Sequence, residues 1–252
     1  MSAVLDYKRK VYAIRDLPTL PIIAQKVLML ADEDESSAER LTAMISSDQA
    51  LSVKVLGLAN SAYYGYRSKI GTIRQAVVII GTNMLKQLSL SVLVCGTIGR
   101  RGRDRTEFWR HSFATATASA LIAKRTGISD GDMSFMAGLL HDVGKTVIDT
   151  YFPDEHGMQH TEVGAWMAER WQLPQPLINA ISFHHSLEMV HLAQPVVACV
   201  HAADLCAKLA LTGQPLVITG DVLDALNLTD NSFFEVVEEL RERKDQMNKL
   251  LV

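Results

Sequence analysis

The chain has 252 residues, 48% hydrophobic and 21% charged, which describes a globular protein with enough apolar side chains for a substantial core. Three scattered cysteines, Cys95, Cys199 and Cys206, form no C-x-x-C, which argues against a disulfide framework or a thiolate zinc site and for small core residues in a reduced cytoplasm. A net charge of -3 makes a general nucleic-acid-binding surface a poor expectation, and the charged start MSAVLDYKRK and the lack of a run of about 18 apolar residues argue against a signal peptide or a membrane.

In chain order the apolar spacing is helical. Ile23, Val27 and Leu30 form an i, i+4, i+7 stripe, as do Leu51, Val55 and Leu58, and no comparable run alternates with period two. Ser36 with Glu39, Thr72 with Gln75, and Ser232 with Glu235 have the spacing of capping boxes. AVVIIGTNML is rich in β-branched residues, but without strand partners it reads as a buried helix broken near Gly81. Glycine and arginine interrupt the apolar helices at 99–107, which places a boundary between two helical subdomains, residues 1–100 and 101–252. The expected fold is all-α, and the segment from Asn231 onward reads as a charged amphipathic helix.

Every histidine lies at or beyond position 111. In AGLLHDVGKTVID the pair His141-Asp142 interrupts an apolar run, and a buried imidazole beside a buried carboxylate is costly unless paired, hydrogen-bonded or bound to metal. On a continuous helix Gly138, His141, Asp142 and Lys145 share one face. His184-His185 follow the apolar LINAISF, and Asp204 lies within VVACVHAADLCAKLA. With His111 and His160 these are imidazole and carboxylate donors from five segments, which is how a helical fold builds an interior metal site. Taken singly, His111, His160 and Asp204 read better as hydrogen-bonded core residues than as ligands, and it is the His-Asp and His-His pairs that shift the balance. His156 and His191 sit in polar contexts and are set aside, while His201, three residues before Asp204, stands behind the site at most.

The order His111, His141-Asp142, His160, His184-His185, Asp204 resembles the metal-binding pattern of HD-superfamily phosphohydrolases, including the dinuclear HD-GYP phosphodiesterases. LPTLPIIAQKVLML, MISSDQALSVKVLGLANSAYYG and IGTIRQAVVIIGTNML narrow the resemblance to the HDOD family, the HD-related output domains of bacterial signalling proteins, over about Leu17 to Ala210. The resemblance implies an HD-like helical bundle in the C-terminal half. It implies one ion held by His111, His141, Asp142 and Asp204, with Asp142 bridging to a second held by His160, His184 and His185. Iron or manganese suits these donors, with nickel, cobalt or zinc as alternatives. Lys145 and Asp142 are the catalytic candidates of such a centre, Lys145 by neutralising phosphate charge or else as a snorkelling surface lysine. Glu107 resembles the extra carboxylate of three-metal HD-GYP sites and reads better as a helix N-terminal acid.

The Gly-Tyr-Pro element is absent between His185 and Asp204, which argues against cyclic di-GMP hydrolysis. Arg100, Arg101, Arg103 and Arg105 read as a solvated loop before His111, with steering of a phosphate-bearing nucleotide as the alternative. The tyrosines of NSAYYGYR, residues 60–67, read as packing or as a partner surface. No receiver or cyclase domain fits in the remaining length, so an output module of this length takes its input from a signalling protein in trans or from a diffusible ligand. Three readings stand: an interaction module with a metal site in its C-terminal half, a metal-dependent phosphohydrolase of nucleotides or cyclic nucleotides, and a domain whose polar cluster is satisfied by hydrogen bonds and water alone.

Overall fold

A computed structural model describes residues 2–14, 35–60, 70–97, 105–127, 129, 131–186, 195–214 and 218–242, together with Ile23, Lys26, Val27 and Leu30. Among them there is no strand. The helices are α1 (Ser2–Ala13), α2 (Glu35–Ser46), α3 (Gln49–Ala59), α4 (Ile73–Thr97), α5 (Arg105–Thr126), α6 (Gly131–Leu140), α7 (Val143–Tyr151), α8 (His160–Arg170), α9 (Gln175–Phe183), α10 (Pro195–Thr212), α11 (Gly220–Ala225) and α12 (Asp230–Glu242). They divide into two units, one of α2–α4 and one of α1 with α5–α12.

In the α2–α4 unit, Leu41, Ile45, Leu51, Val55, Ile70, Ile73, Ala76, Leu85 and Leu88 are buried. The expected cap at α4 forms: Thr72 Oγ1 accepts from the Gln75 amide at 3.1 Å, and Gln75 Oε1 accepts from the Gly71 amide at 2.9 Å. The break near Gly81 is present as a positive φ of 80° inside α4. The helix is less buried than expected, because Val78 is 80% exposed. Asn60 pairs with Ile70, donating to Ile70 O and accepting from the Ile70 amide, both at 2.7 Å. The side chain of Ser36, the tyrosines after Asn60, the arginines at 100, 101 and 103 and the side chains of Arg105, Cys95 and Leu58 lie outside the described residues.

The other unit is built around α5 and α10. Glu107 in the first turn and Lys124 and Arg125 in the last suit the dipole of α5. Its run of alanine, serine and threonine lets neighbouring backbones come close: a Cβ on Gly138 of α6 would lie 2.8 Å from Ala116 Cα. Helix α10 has the length and apolarity of a membrane span, yet here it packs on α5, α6, α9 and α12 as a core helix. Ala118, Ile122, Cys199, Cys206, Val222, Leu226, Phe233 and Val236 form the core of that face. Burial pushes the Cys199 thiol up to about 12, which suits an unreactive core residue.

Two expectations need correction here. Helix α12 starts at Asp230 rather than after Ser232, because the Thr229 hydroxyl accepts from the Ser232 amide at 3.2 Å and acts as the cap. The expected division into 1–100 and 101–252 also misplaces α1, which packs on α8. Arg170 Nη1 donates to carbonyls at the end of α1 and just beyond it, Val11 O at 3.1 Å and Ile14 O at 3.3 Å, while Tyr12 bonds Glu169 at 2.8 Å and Lys10 pairs with Glu155 at 2.5 Å. Those partners are about 145 to 160 positions away in sequence, beyond the reach of any local signal.

Candidate metal centre

The apolar run containing His141-Asp142 is two helices with the pair at their joint, which corrects the single-helix expectation. Asp142 occupies the N-cap position of α7 yet makes no side-chain cap bond, so its carboxylate is free to turn toward the imidazoles. The joint keeps two expected neighbours together. His141 Nδ1 donates to Gly138 O at 2.7 Å, and Lys145 Nζ donates to Asp142 Oδ2 at 2.6 Å.

Each of the other donors stands at a helix feature that aims it. His111 is on α5 and Asp204 in the middle of α10, His160 opens α8, and His184-His185 close α9. The α7–α8 crossing is set by glycine. A Cβ on Gly144 would fall 1.9 Å from His160 O and 2.7 Å from the Gly164 amide nitrogen, so only bare backbone allows α8 to bring His160 beside Asp142.

The seven expected donors gather into two groups, Asp142 with His160, His184 and His185, and His111 with His141 and Asp204; within each group the ligand atoms lie within 4.8 Å of one another. Asp142 faces both. Its Oδ1 lies 3.2 Å from His160 Nε2 and 3.8 Å from His184 Nε2, while its Oδ2 lies 3.3 Å from His141 Nε2 and 3.7 Å from His111 Nε2. Asp204 Oδ1 is 3.1 Å from His111 Nε2 and 3.8 Å from His141 Nε2.

Several observations fit these donors to divalent ions. Asp142 Oδ1 and Asp204 Oδ1 are buried and, despite the nearby imidazoles, have no hydrogen bond of acceptable geometry. The Nδ1–H groups of His141 and His184 are directed at carbonyls, Gly138 O for the first and Ile181 O at 3.0 Å for the second, so both rings turn a bare Nε2 inward. Two Nε2 pairs, His111 with His141 and His160 with His184, face each other at 3.3 Å, a contact that needs a proton or a metal ion between the lone pairs. His201 Nδ1 donates to His184 O at 2.7 Å and steadies the backbone there.

The electrostatics point the same way. Burial pushes His184 down to about 2, with His141 and His185 adding to the shift, and burial pushes His185 down to about 4, so both are neutral and able to bind a cation. Burial alone would lower His141, but the adjacent Asp142, then Asp204, outweigh it and raise its pKa; the same two carboxylates would attract a metal cation at Nε2 in place of a proton. Burial alone would raise Asp142 and Asp204. The neighbouring histidines, with Lys145 and Lys208, instead hold both carboxyls far below their usual range.

Glu107 is exposed in the first turn of α5 and belongs to neither group. His156 is exposed and offers only its backbone carbonyl, to Tyr7, while His191 and the segment where Gly-Tyr-Pro is missing lie outside the described residues. Sequence reasoning missed Lys208, whose Nζ lies 2.6 Å from Asp204 Oδ2; the Asp-to-Lys spacing of four on a helix was the available signal.

The HD domain model matches residues 108–209, the stretch carrying all seven donors. An uncharacterised protein of Treponema pallidum is 30% identical over 200 residues, 69% of this chain and 38% of that protein. Ribonuclease Y of Aquifex aeolicus is 39% identical over 94 residues, 37% of this chain and 15% of that protein. The chain thus covers well under half the length of either relative. The crystal structure of an HDOD domain protein of unknown function from Geobacter sulfurreducens superposes with a TM-score of 0.80 at 26% identity, covering 99% of this chain and 97% of that one. The HDOD domain model matches residues 17–158, more than half of the sequence, and the chain belongs to the HDOD domain family.

Proposed function

We propose that the chain is a bacterial signalling output module of the cytoplasm, acting through a protein partner in trans and tied together by a centre of two divalent ions, iron or manganese before nickel, cobalt or zinc. The observation that carries this reading is Asp142, whose two oxygens face the two donor groups while the inner oxygens of both aspartates have no hydrogen-bond partner. His111, His141, Asp142 and Asp204 would hold one ion, and Asp142, His160, His184 and His185 the other. Ions joining α5, the α6–α7 joint, α8, the end of α9 and α10 would convert binding energy into folding energy.

A second reading, a metal-dependent phosphohydrolase of a nucleotide or cyclic nucleotide, is favoured by solvent access: His185 is exposed, and the side chains of His111 and His160 are 18% and 19% exposed. Bound ions would supply polarisation of a phosphoryl oxygen and acidification of water. Lys145 would neutralise phosphate charge, and Asp142 would hold the donor groups in register. Because part of the chain is similar to ribonuclease Y, RNA belongs in a substrate screen.

Elemental analysis of protein purified without a His tag or chelator tests the centre. Roughly two equivalents, lost in the His141→Ala, Asp142→Ala double variant, are expected for a dinuclear site. Absence of metal together with failed reconstitution would sink both metal readings. Turnover of a phosphodiester that disappears in a still-folded double variant selects the hydrolase; a loaded protein without turnover selects the module.

A further inference from the structure

Helix α8 brings one donor to the centre, His160, and brings it on its first residue. Such a donor stays beside Asp142 only while the helix and the loop before it keep their places. On its inner side α8 is placed by the bare-backbone crossing at Gly144 and by Gly164, whose added Cβ would lie 2.8 Å from Ile181 of α9. Backbone against backbone offers no interlocked side chains there, so it sets the distance of approach more firmly than the position along the helix axis.

The outer side of α8 is held by two neighbouring faces of α1. Tyr7 and Lys10, three positions apart, hold the loop that leads into His160: the Tyr7 hydroxyl donates to His156 O at 3.2 Å, and Lys10 pairs with Glu155 at 2.5 Å. Lys8 and Tyr12, four positions apart, both reach Glu169 at the far end of α8, at 3.2 Å and 2.8 Å. Arg170 returns the contact through the carbonyls of Val11 and Ile14. One short helix thus ties the entry of α8 to its exit.

The contacts that do so are weak ones. Among the described side chains of α1 only Val11 is buried. The side chains of the Lys8–Glu169 and Lys10–Glu155 pairs are 35% to 42% exposed, and exposed pairs add little stability and are screened by salt. An element held mainly in this way opens locally at far lower cost than the core behind it.

We propose that α1 is a releasable strap on the metal centre. Docked, it holds α8 and the 152–159 loop in place and slows loss of the ion in the His160 group. Released, it lets that ion go while the rest of the unit stays folded. This rests on the two-ion reading and adds to it a route by which a change at the surface of α1 reaches the interior.

The test follows manganese-loaded protein by hydrogen exchange and by transfer of the metal to a chromophoric chelator. Lys10→Glu and Glu155→Lys each replace attraction with repulsion at the surface, and each should lower the protection of residues 2–14 and 155–170. Each should also speed release of the more labile equivalent about fivefold, the factor that corresponds to an exposed ion pair at the upper end of its usual worth. The double exchange, Lys10→Glu with Glu155→Lys, rebuilds the pair in reverse and should restore both readings. Glu239→Lys breaks the Arg125–Glu239 pair between α5 and α12 and should match wild type in metal release, which controls for charge and for general loosening. Loss of protection in α1 with unchanged metal release overturns the proposal. Unchanged protection of α1 in both single variants overturns it as well, because these contacts would then not hold the strap. Faster release that the double exchange fails to restore does the same, since the effect would belong to the substituted residues rather than to their pairing. Wild-type protein that takes up no metal fails at loading, before any variant is compared, which overturns the two-ion reading and the strap's role with it.

Discussion

The two units handle buried polarity in opposite ways. Among the described residues of the α2–α4 unit the buried polar ones are Lys86 and Ser89, and each is satisfied: Ser89 Oγ donates to Leu85 O at 2.7 Å and Lys86 Nζ to Leu30 O at 3.1 Å. In the α5–α12 unit Ser112, Thr115, Ser119, Asp142 and Asp204 each have a buried oxygen with no hydrogen-bond partner among the described residues. A carboxylate oxygen without a partner is the most costly of these, and both examples lie among imidazoles. The contrast teaches where to look: the described buried polar groups of one interior are paired, and the other leaves carboxylate oxygens without hydrogen bonds, which an ion can satisfy.

The strongest way to break that contrast is Asp142→Asn, which keeps the shape but removes the charge facing both donor groups. Metal content is expected to fall from roughly two equivalents to none, as measured by elemental analysis. Residual metal near one equivalent would mean that the groups load independently.

Next come mirror perturbations of the two interiors. Leu85→Ala should cost about 3 kcal/mol in the α2–α4 unit and leave metal content unchanged, because Leu85 is fully buried among apolar neighbours. Chelation should do the reverse, withdrawing about 2.7 kcal/mol from the α5–α12 unit if free metal had stood at 100 times its Kd. Hydrogen exchange by mass spectrometry separates the two, and equal loss of protection in both units under chelation would contradict the assignment.

Gly144→Ala should cost about 2 kcal/mol by overpacking, since the new Cβ meets backbone at His160 and Gly164 rather than a movable side chain. Its sharper consequence is selective: the His160 group should lose metal before the His111 group. Competition with a chromophoric chelator checks the order of release.

The smallest effect concerns α1. Burial, then the bond to Glu169, raises the Tyr12 pKa from 10.0 to about 12. The folded state thus holds this proton more tightly than the unfolded chain does. The contribution is complete below pH 10 and is lost as pH rises toward 12. A phenolate titration of wild type minus Tyr12→Phe should show one group ionising near pH 12, and ionisation near 10 would mean that α1 is not docked on α8.

Much of this architecture could be read along the chain because its signals are local. The Thr72–Gln75 cap and the Gly81 break involve residues a few positions apart, and apolar spacing alone marks the helices. The donors were legible for a different reason: imidazoles and carboxylates are conspicuous inside apolar runs. The joint at His141-Asp142 was not, since Gly138, His141 and Lys145 have helical spacing whether or not the helix breaks between them. Lys208 was hidden in an ordinary helical Asp-to-Lys pair until Asp204 proved to be buried.

The amino-acid sequence by itself determined an all-helical chain, its HDOD resemblance and the seven candidate donors, because periodicity, caps and residue chemistry act over a few positions. Only the tertiary structure decided that α1 docks on α8, that the candidate donors divide into two groups with Asp142 facing both, and that a bare-backbone contact at Gly144 brings His160 beside Asp142. Those outcomes depend on packing between residues far apart in the chain, where one missing Cβ determines how closely two helices approach.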